Sequence, residues 1–126
     1  MIKKSNPKLK LTALRGATTS KGDTDYFIKD AVIELIEELI TRNNLNQENI
    51  ISITFSVTKD LTSCFPASIV RKYFNFDKIA LLDCQQMFVP NDIKFCIRLL
   101  ALVYLESDKE SVHPYLNESA KLRPDR

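Results

Sequence analysis

Apolar residues recur along this chain with two periods, and the places where one period gives way to the other predict its elements. Leu9, Leu11 and Ala13 alternate with Lys10, Thr12 and Leu14, which predicts a short strand ending at Arg15-Gly16, where glycine permits a turn. Beyond Asp23 and Thr24, both favourable N-cap residues, Ile28, Ala31, Val32, Leu35, Ile36, Leu39 and Ile40 recur at three- and four-residue intervals. This predicts an amphipathic helix with Glu34, Glu37, Glu38 and Arg42 on its solvated side. Asn43-Asn44 and Asn46 break the pattern, and Ile51, Ile53, Phe55 and Val57 then alternate with Ser52, Thr54 and Ser56 as a strand with one apolar face. Pro66 opens a short helix carrying Ile69, Val70 and Tyr73.

Ile79 to Leu82 reads as a brief buried strand and Cys96 to Leu105 as a longer one, with a turn at Pro90-Asn91-Asp92 between them. His113-Pro114 is expected to open a final helix from about Tyr115 to Leu122, closed by Arg123-Pro124. The order β, α, β, α, β, β, α argues for an α+β or α/β-like domain with helices packed on one mixed sheet. Met1 to Lys10 holds four lysines with Ser5, Asn6 and Pro7, a composition expected of a flexible leader over residues 1–8, with one domain spanning 9–126.

Composition narrows the function classes. A chain of 126 residues, 44% apolar and 27% charged, suits one globular domain, and a net charge of +2 is too small to argue for nucleic acid or an anionic membrane. No apolar run reaches the roughly 20 residues of a membrane span, and the N-terminus lacks a secretory signal's apolar stretch, so a soluble, cytoplasmic protein is expected. Cys64, Cys84 and Cys96 are odd in number and lack metal or disulfide spacing, which favours reduced thiols. His113 is the only histidine and suits a surface or capping position better than a catalytic one. The chain has no P-loop, no Gly-x-Gly-x-x-Gly and no metal-ligand cluster, so no cofactor or metal is expected.

What remains is arginine in unusual places. Arg15 stands at the end of the first predicted strand, where side chains often carry function, and Arg98 lies inside an apolar strand between Ile97 and Leu99. A guanidinium there is costly unless it reaches an anion or solvent, so an internal salt bridge, a polar outer face and a site for a small polyanion all remain open. Arg71 and Arg123, near two helix ends, suit solvated or dipole-complementing roles.

Four segments carry a resemblance. Leu14-Arg15-Gly16-Ala17-Thr18-Thr19, then Phe65-Pro66-Ala67 followed by Arg71, then Cys96-Ile97-Arg98, then Tyr115-Leu116 with Leu122-Arg123-Pro124-Asp125 resemble, in order and spacing, the signature of AroH-type chorismate mutases. The resemblance runs from about residue 11 to residue 126. It implies a homotrimer forming a pseudo-α/β-barrel, with active sites between subunits that rearrange chorismate into prephenate without cofactor or metal. It further implies that Arg98 faces the ether oxygen, that Arg15 and Tyr115 bind substrate carboxylates, and that Arg71 and Arg123 add positive field at the entrance. Phe65 and Ala67 then line an apolar wall, Leu122 helps close the cleft, and Leu82, Asp83, Cys84, Gln85 and Gln86 form a further substrate-facing segment.

The chain departs from the family pattern at several positions. A family cysteine and glutamate are replaced by Asp83 and Gln86, and Cys84 does not take the cysteine's place. Gln86 can still accept from the substrate's ring hydroxyl, or Asp83 supplies the missing carboxylate, in which case a contact with Arg98 or another cation is expected. Ser68 stands where a family lysine is found, and the chain stops at Arg126, so a longer family tail over the cleft is expected to be absent or curtailed. Two other classes compete: a non-catalytic trimer that binds a small anionic metabolite, and a nucleic-acid module resting on the leader lysines.

Overall fold

A computed structural model describes residues 8–122. Their elements run β1 (Leu9–Thr19), α1 (Asp25–Asn43), a 3-10 turn (Gln47–Asn49), β2 (Ile50–Val57), α2 (Pro66–Phe74), β3 (Ala80–Gln85), β4 (Cys96–Glu106) and a second 3-10 segment (Asn117–Leu122). Four strands form one mixed sheet in the order β1-β4-β2-β3, antiparallel except for the β2–β3 pair, whose crossover is α2.

Local chemistry accounts for most boundaries. Thr24 caps α1 by accepting the Phe27 N–H, and Asn44 ends it in the left-handed region, which asparagine tolerates. Pro66 occupies the first position of α2, where its missing N–H removes nothing from the helix. The anticipated stripe of α1 is buried at Ile28, Val32, Leu35, Ile36 and Leu39, against Leu14 of β1, Ile53 and Phe55 of β2 and Ile97, Leu99 and Val103 of β4. Each such side chain contributes about 1.5 to 3 kcal/mol by leaving water. Period-two alternation sends the intervening residues to the opposite face: Leu11 and Arg15 from β1, Arg98, Leu100, Leu102 and Tyr104 from β4, Ser52, Thr54 and Ser56 from β2, and Leu82 and Cys84 from β3. No helix covers that outer face among the described residues, and Leu11, Leu82, Leu100, Leu102 and Tyr104 are all exposed on it.

Four expectations are corrected. β1 does not end at Arg15-Gly16 but runs to Thr19, because β4 continues to pair it through Gly16↔Leu99 as far as Thr19↔Cys96. Gly16 therefore makes no turn; it is needed because a Cβ there would lie 3.0 Å from the Pro114 carbonyl oxygen. β3 is longer than the brief strand read over Ile79 to Leu82 and is largely exposed, since it lies at the sheet's edge. The final helix is a 3-10 segment starting at Asn117, because His113 to Leu116 lie alongside β1 and Asn117 then turns in the left-handed region. The leader from residue 1 to 7 and the closing Arg123-Pro124 lie outside the described residues; Lys8 is described, and its carbonyl accepts the Ser107 N–H at 2.8 Å.

Candidate active site

Two clefts gather most of the candidate residues. The first forms on the outer face of the sheet, where β1 and β4 set Arg15 opposite Leu100 and Ala17 opposite Arg98, making the two arginines diagonal neighbours. Tyr115 and Leu122 reach this place because the chain after Val112 lies along the free edge of β1. Ala17 N donates to Pro114 O at 2.9 Å, Leu116 N donates to Ala17 O at 2.9 Å, and Arg15 N donates to His113 Nδ1 at 2.9 Å. Together with Thr54, Ser56 and Leu100, the side chains of Arg15, Arg98, Tyr115 and Leu122 enclose a cleft of about 390 Å³. Among the described residues no carboxylate lines it, and neither Arg15 nor Arg98 belongs to an ion pair. The Arg98 Nε is buried with no hydrogen-bond partner, a donor whose desolvation is uncompensated until an acceptor enters.

The second cleft, of about 500 Å³, lies between β3 and the start of α2 and is lined by Cys64, Phe65, Ser68, Asp83, Cys84 and Gln85 among others. Asp83 pairs with Phe55 in the parallel register and so projects toward the helices, away from the outer face that carries Arg98. Its Oδ1 accepts the Ala67 N–H at 3.1 Å, in the first turn of α2. Burial lifts the Asp83 carboxyl above its ordinary value, while the Ala67 N–H and the charge of Arg71 oppose the rise. Among the described residues the cation acting on Asp83 is therefore Arg71, and no contact with Arg98 is made. Burial, followed by the charges of Asp25, Asp23 and Asp83, raises Cys64, and burial raises Cys96 against a lowering influence of Arg98. Both effects disfavour the thiolate that nucleophilic chemistry requires. The loop leading to Phe65 is tied down by Asp23, whose carboxylate accepts from the Thr62 N–H and hydroxyl and from the Ser63 N–H.

The remaining candidates lie apart from these two clusters. Gln86 belongs to a neighbouring hollow of about 320 Å³ with Lys59, Phe88 and Asp92; its Nε2 donates to Asp92 Oδ2 at 2.9 Å and its Oε1 is buried without a partner. Ala67 is buried beneath the second cleft, which it reaches through its backbone N–H. Arg71 is exposed in the last turn of α2, and Leu82 stands on the outer face in the row of Thr54, Leu100 and Arg15. Arg123 lies outside the described residues.

Comparison with known proteins places this arrangement. The family model for chorismate mutase type I matches residues 11–126. The chain belongs to the type I chorismate mutase family. The chorismate mutase AroH of Thermus thermophilus is 36% identical over 114 residues, covering 89% of this chain and 93% of that one. The chorismate mutase AroH of Bacillus subtilis is 32% identical over 116 residues, 91% of each chain. Among solved structures, a chorismate mutase from Clostridium thermocellum superposes with a TM-score of 0.80 at 34% identity, over 87% of this chain and 98% of that one. Among the described residues no helix is long and apolar enough to cross a membrane, and no three His, Cys, Asp or Glu side chains are grouped to hold a metal ion.

Sequence reasoning missed Thr54 and Ser56 as lining residues of the first cleft. The alternation of β2 already put them on the polar face, but only the sheet order revealed that this face borders β4 and its Arg98. It also left His113 as a surface or capping residue, whereas its ring accepts from the backbone of Arg15. No local pattern signals a contact between residues so far apart along the chain.

Proposed function

We propose that this protein is a chorismate mutase that converts chorismate to prephenate, an isomerisation within aromatic amino-acid biosynthesis, in the cytoplasm and with no cofactor. Family membership supports the reaction, and one observation supports its site: two arginines outside any ion pair among the described residues, one with a buried and unsatisfied Nε, share a cleft that no described carboxylate lines. Chorismate carries two carboxylates, a ring hydroxyl and an enolpyruvyl ether. Guanidinium forks match carboxylates in planar, paired geometry better than an ammonium does.

In the rearrangement the ether carbon–oxygen bond breaks as a carbon–carbon bond forms in the same molecule, so atoms and electrons balance without a nucleophile or proton shuttle. The protein accelerates this by holding the compact, chair-like conformer and by placing positive charge where negative charge grows on the ether oxygen. Arg98 is assigned that charge, worth roughly 3 to 4 kcal/mol as a preorganised donor. Arg15 and Tyr115 bind carboxylates, Leu122 and Phe65 supply apolar walls, and Arg71 and Arg123 enrich the field at the entrance. Asp83, anchored by one oxygen, offers the other to the ring hydroxyl, and Gln86, held by Asp92 in the neighbouring hollow, takes no direct part.

The two clefts share no lining residue, which favours a site assembled between chains. A homotrimer with a pseudo-α/β-barrel core, in which the first cleft of one subunit faces the second cleft of the next, completes the substrate's surroundings. It also gives the exposed leucines of the outer face a partner. Within each subunit, residues 9–126 are read as one domain. Incubating purified protein with chorismate, following its absorbance and identifying prephenate, tests the reaction, with sedimentation of the same sample testing the assembly. Chorismate that is bound and protected but never converted would favour the metabolite-binding reading, and full turnover by a monomer would overturn the shared site.

A further inference from the structure

We infer that His113 is a positioning residue: its neutral ring replaces a missing rung of backbone pairing and thereby holds Arg15 and Tyr115 together. The proposal rests on the chorismate mutase reading for its kinetic consequences and on geometry alone for the contact itself.

β1 is an edge strand whose inner edge is paired with β4. Along its other edge, Ala17 and Tyr115 form a parallel bridge, in which Ala17 N donates to Pro114 O and Leu116 N donates to Ala17 O. Continuing this ladder backwards by one step would require Arg15 N to find the carbonyl of Val112 and Arg15 O to find the N–H of residue 114. Neither forms. Residue 114 is proline and has no N–H, which rules out the second bond. Asn43 holds the Val112 peptide instead, its Nδ2 donating to Val112 O at 2.9 Å and its Oδ1 accepting from Val112 N at 2.8 Å. The Arg15 N–H is received by His113 Nδ1 at 2.9 Å. A side chain thus supplies the acceptor that the backbone ladder does not.

Two properties follow. Only an unprotonated Nδ1 accepts a hydrogen bond, so the neutral ring carries its proton on Nε2. The rung also lies between the two groups assigned to substrate carboxylates, fixing the backbone of Arg15 one residue from Gly16, whose missing Cβ lets the Pro114 carbonyl approach, and two residues before Tyr115. Arg98 stands on β4, which is paired on both sides, and does not depend on His113. Removing the ring therefore loosens substrate binding more than the chemical step.

The experiment compares wild type, His113→Ala and His113→Asn. Alanine raises KM by about tenfold, the size of one lost hydrogen bond, with kcat changed by no more than about twofold. Asparagine, whose amide oxygen stands near the position of Nδ1, restores KM to within about twofold of wild type. Hydrogen exchange at the Arg15 amide accelerates in the alanine variant while the Ala17 amide stays protected. Unchanged KM in the alanine variant, or kcat and KM failing alike in both variants, would overturn the positioning role. If the alanine variant does not fold, the nitrogen-15 shifts of the wild-type ring decide: a protonated Nδ1 at neutral pH sinks the proposal, and a bare Nδ1 with a protected Arg15 amide upholds it. Should wild type fail to turn over chorismate, the functional reading fails, while the ring shifts and amide exchange still test the contact.

Discussion

The cleft beside β1 and the cleft beside β3 differ in charge and in how their side chains are held. The first is basic, open to the sheet's outer face, and built from residues on three strands plus the segment that follows Val112. The second holds a carboxylate, lies on the helix side of an edge strand, and takes its shape from the first turn of α2. In the first, the groups are charged and await a partner; in the second, Asp83 is half-buried and already has one oxygen occupied. Neither alone offers both cations for two carboxylates and an acceptor for a hydroxyl, and the proposed pairing of the two supplies both. On the proposed assembly, a binding site of mixed charge is divided between two copies of one surface, so that the acidic and basic groups do not neutralise each other within a subunit.

The largest expected effect comes from emptying the basic cleft of its principal cation. Arg98→Ala should lower kcat by roughly 10²- to 10³-fold, read as prephenate formation at saturating chorismate. A smaller but more telling result separates the two clefts. Ser68→Trp fills the second cleft from an exposed position, and should be inactive alone. Refolded in equal mixture with Arg98→Ala, it should recover about a quarter of wild-type activity, since in a cyclic trimer about one site in four then draws an intact cleft from each parent. Activity that never exceeds the two parents would show that the clefts do not serve one site.

Gly16→Ala should cost about 1 to 3 kcal/mol in denaturant unfolding, because its Cβ would press on the Pro114 carbonyl and lift the segment carrying Tyr115. At the second cleft, Asp83→Asn should raise KM by roughly tenfold or more, about the loss of one charge-assisted bond, whereas Gln86→Ala should leave KM within about twofold. Because burial raises the Asp83 carboxyl, its charged form disfavours the fold above the shifted value, and the penalty vanishes below the ordinary carboxylate range. The asparagine variant should accordingly melt higher than wild type at neutral pH and alike in acid. The smallest effect on activity is expected at Asp23, whose bonds to Thr62 and Ser63 lower its pKa to about 2. Its stabilisation is complete above the ordinary carboxyl range and lost as pH falls through about 2, so the melting gap between wild type and Asp23→Ala should close over that window.

Local chemistry made much of this legible beforehand. The stripe from Ile28 to Ile40 determined α1 and its buried face, the alternation from Ile51 to Val57 determined β2, and Phe65-Pro66 determined where α2 begins, because helix period, strand period and proline's missing donor act over a few residues. The motifs around Arg15, Phe65, Arg98 and Tyr115 determined the family. Only the tertiary structure decided that Gly16 continues a strand, that Tyr115 leaves the expected helix to lie along β1, that Asp83 bonds to Ala67 and feels the charge of Arg71 in place of Arg98, and that His113 completes the edge. These outcomes depend on which strands become neighbours and which backbone groups lack a partner once they do. A hydrogen-bond donor such as the Arg15 N–H must be satisfied by whatever the fold brings within reach, and the chain's local pattern contains no record of that neighbour.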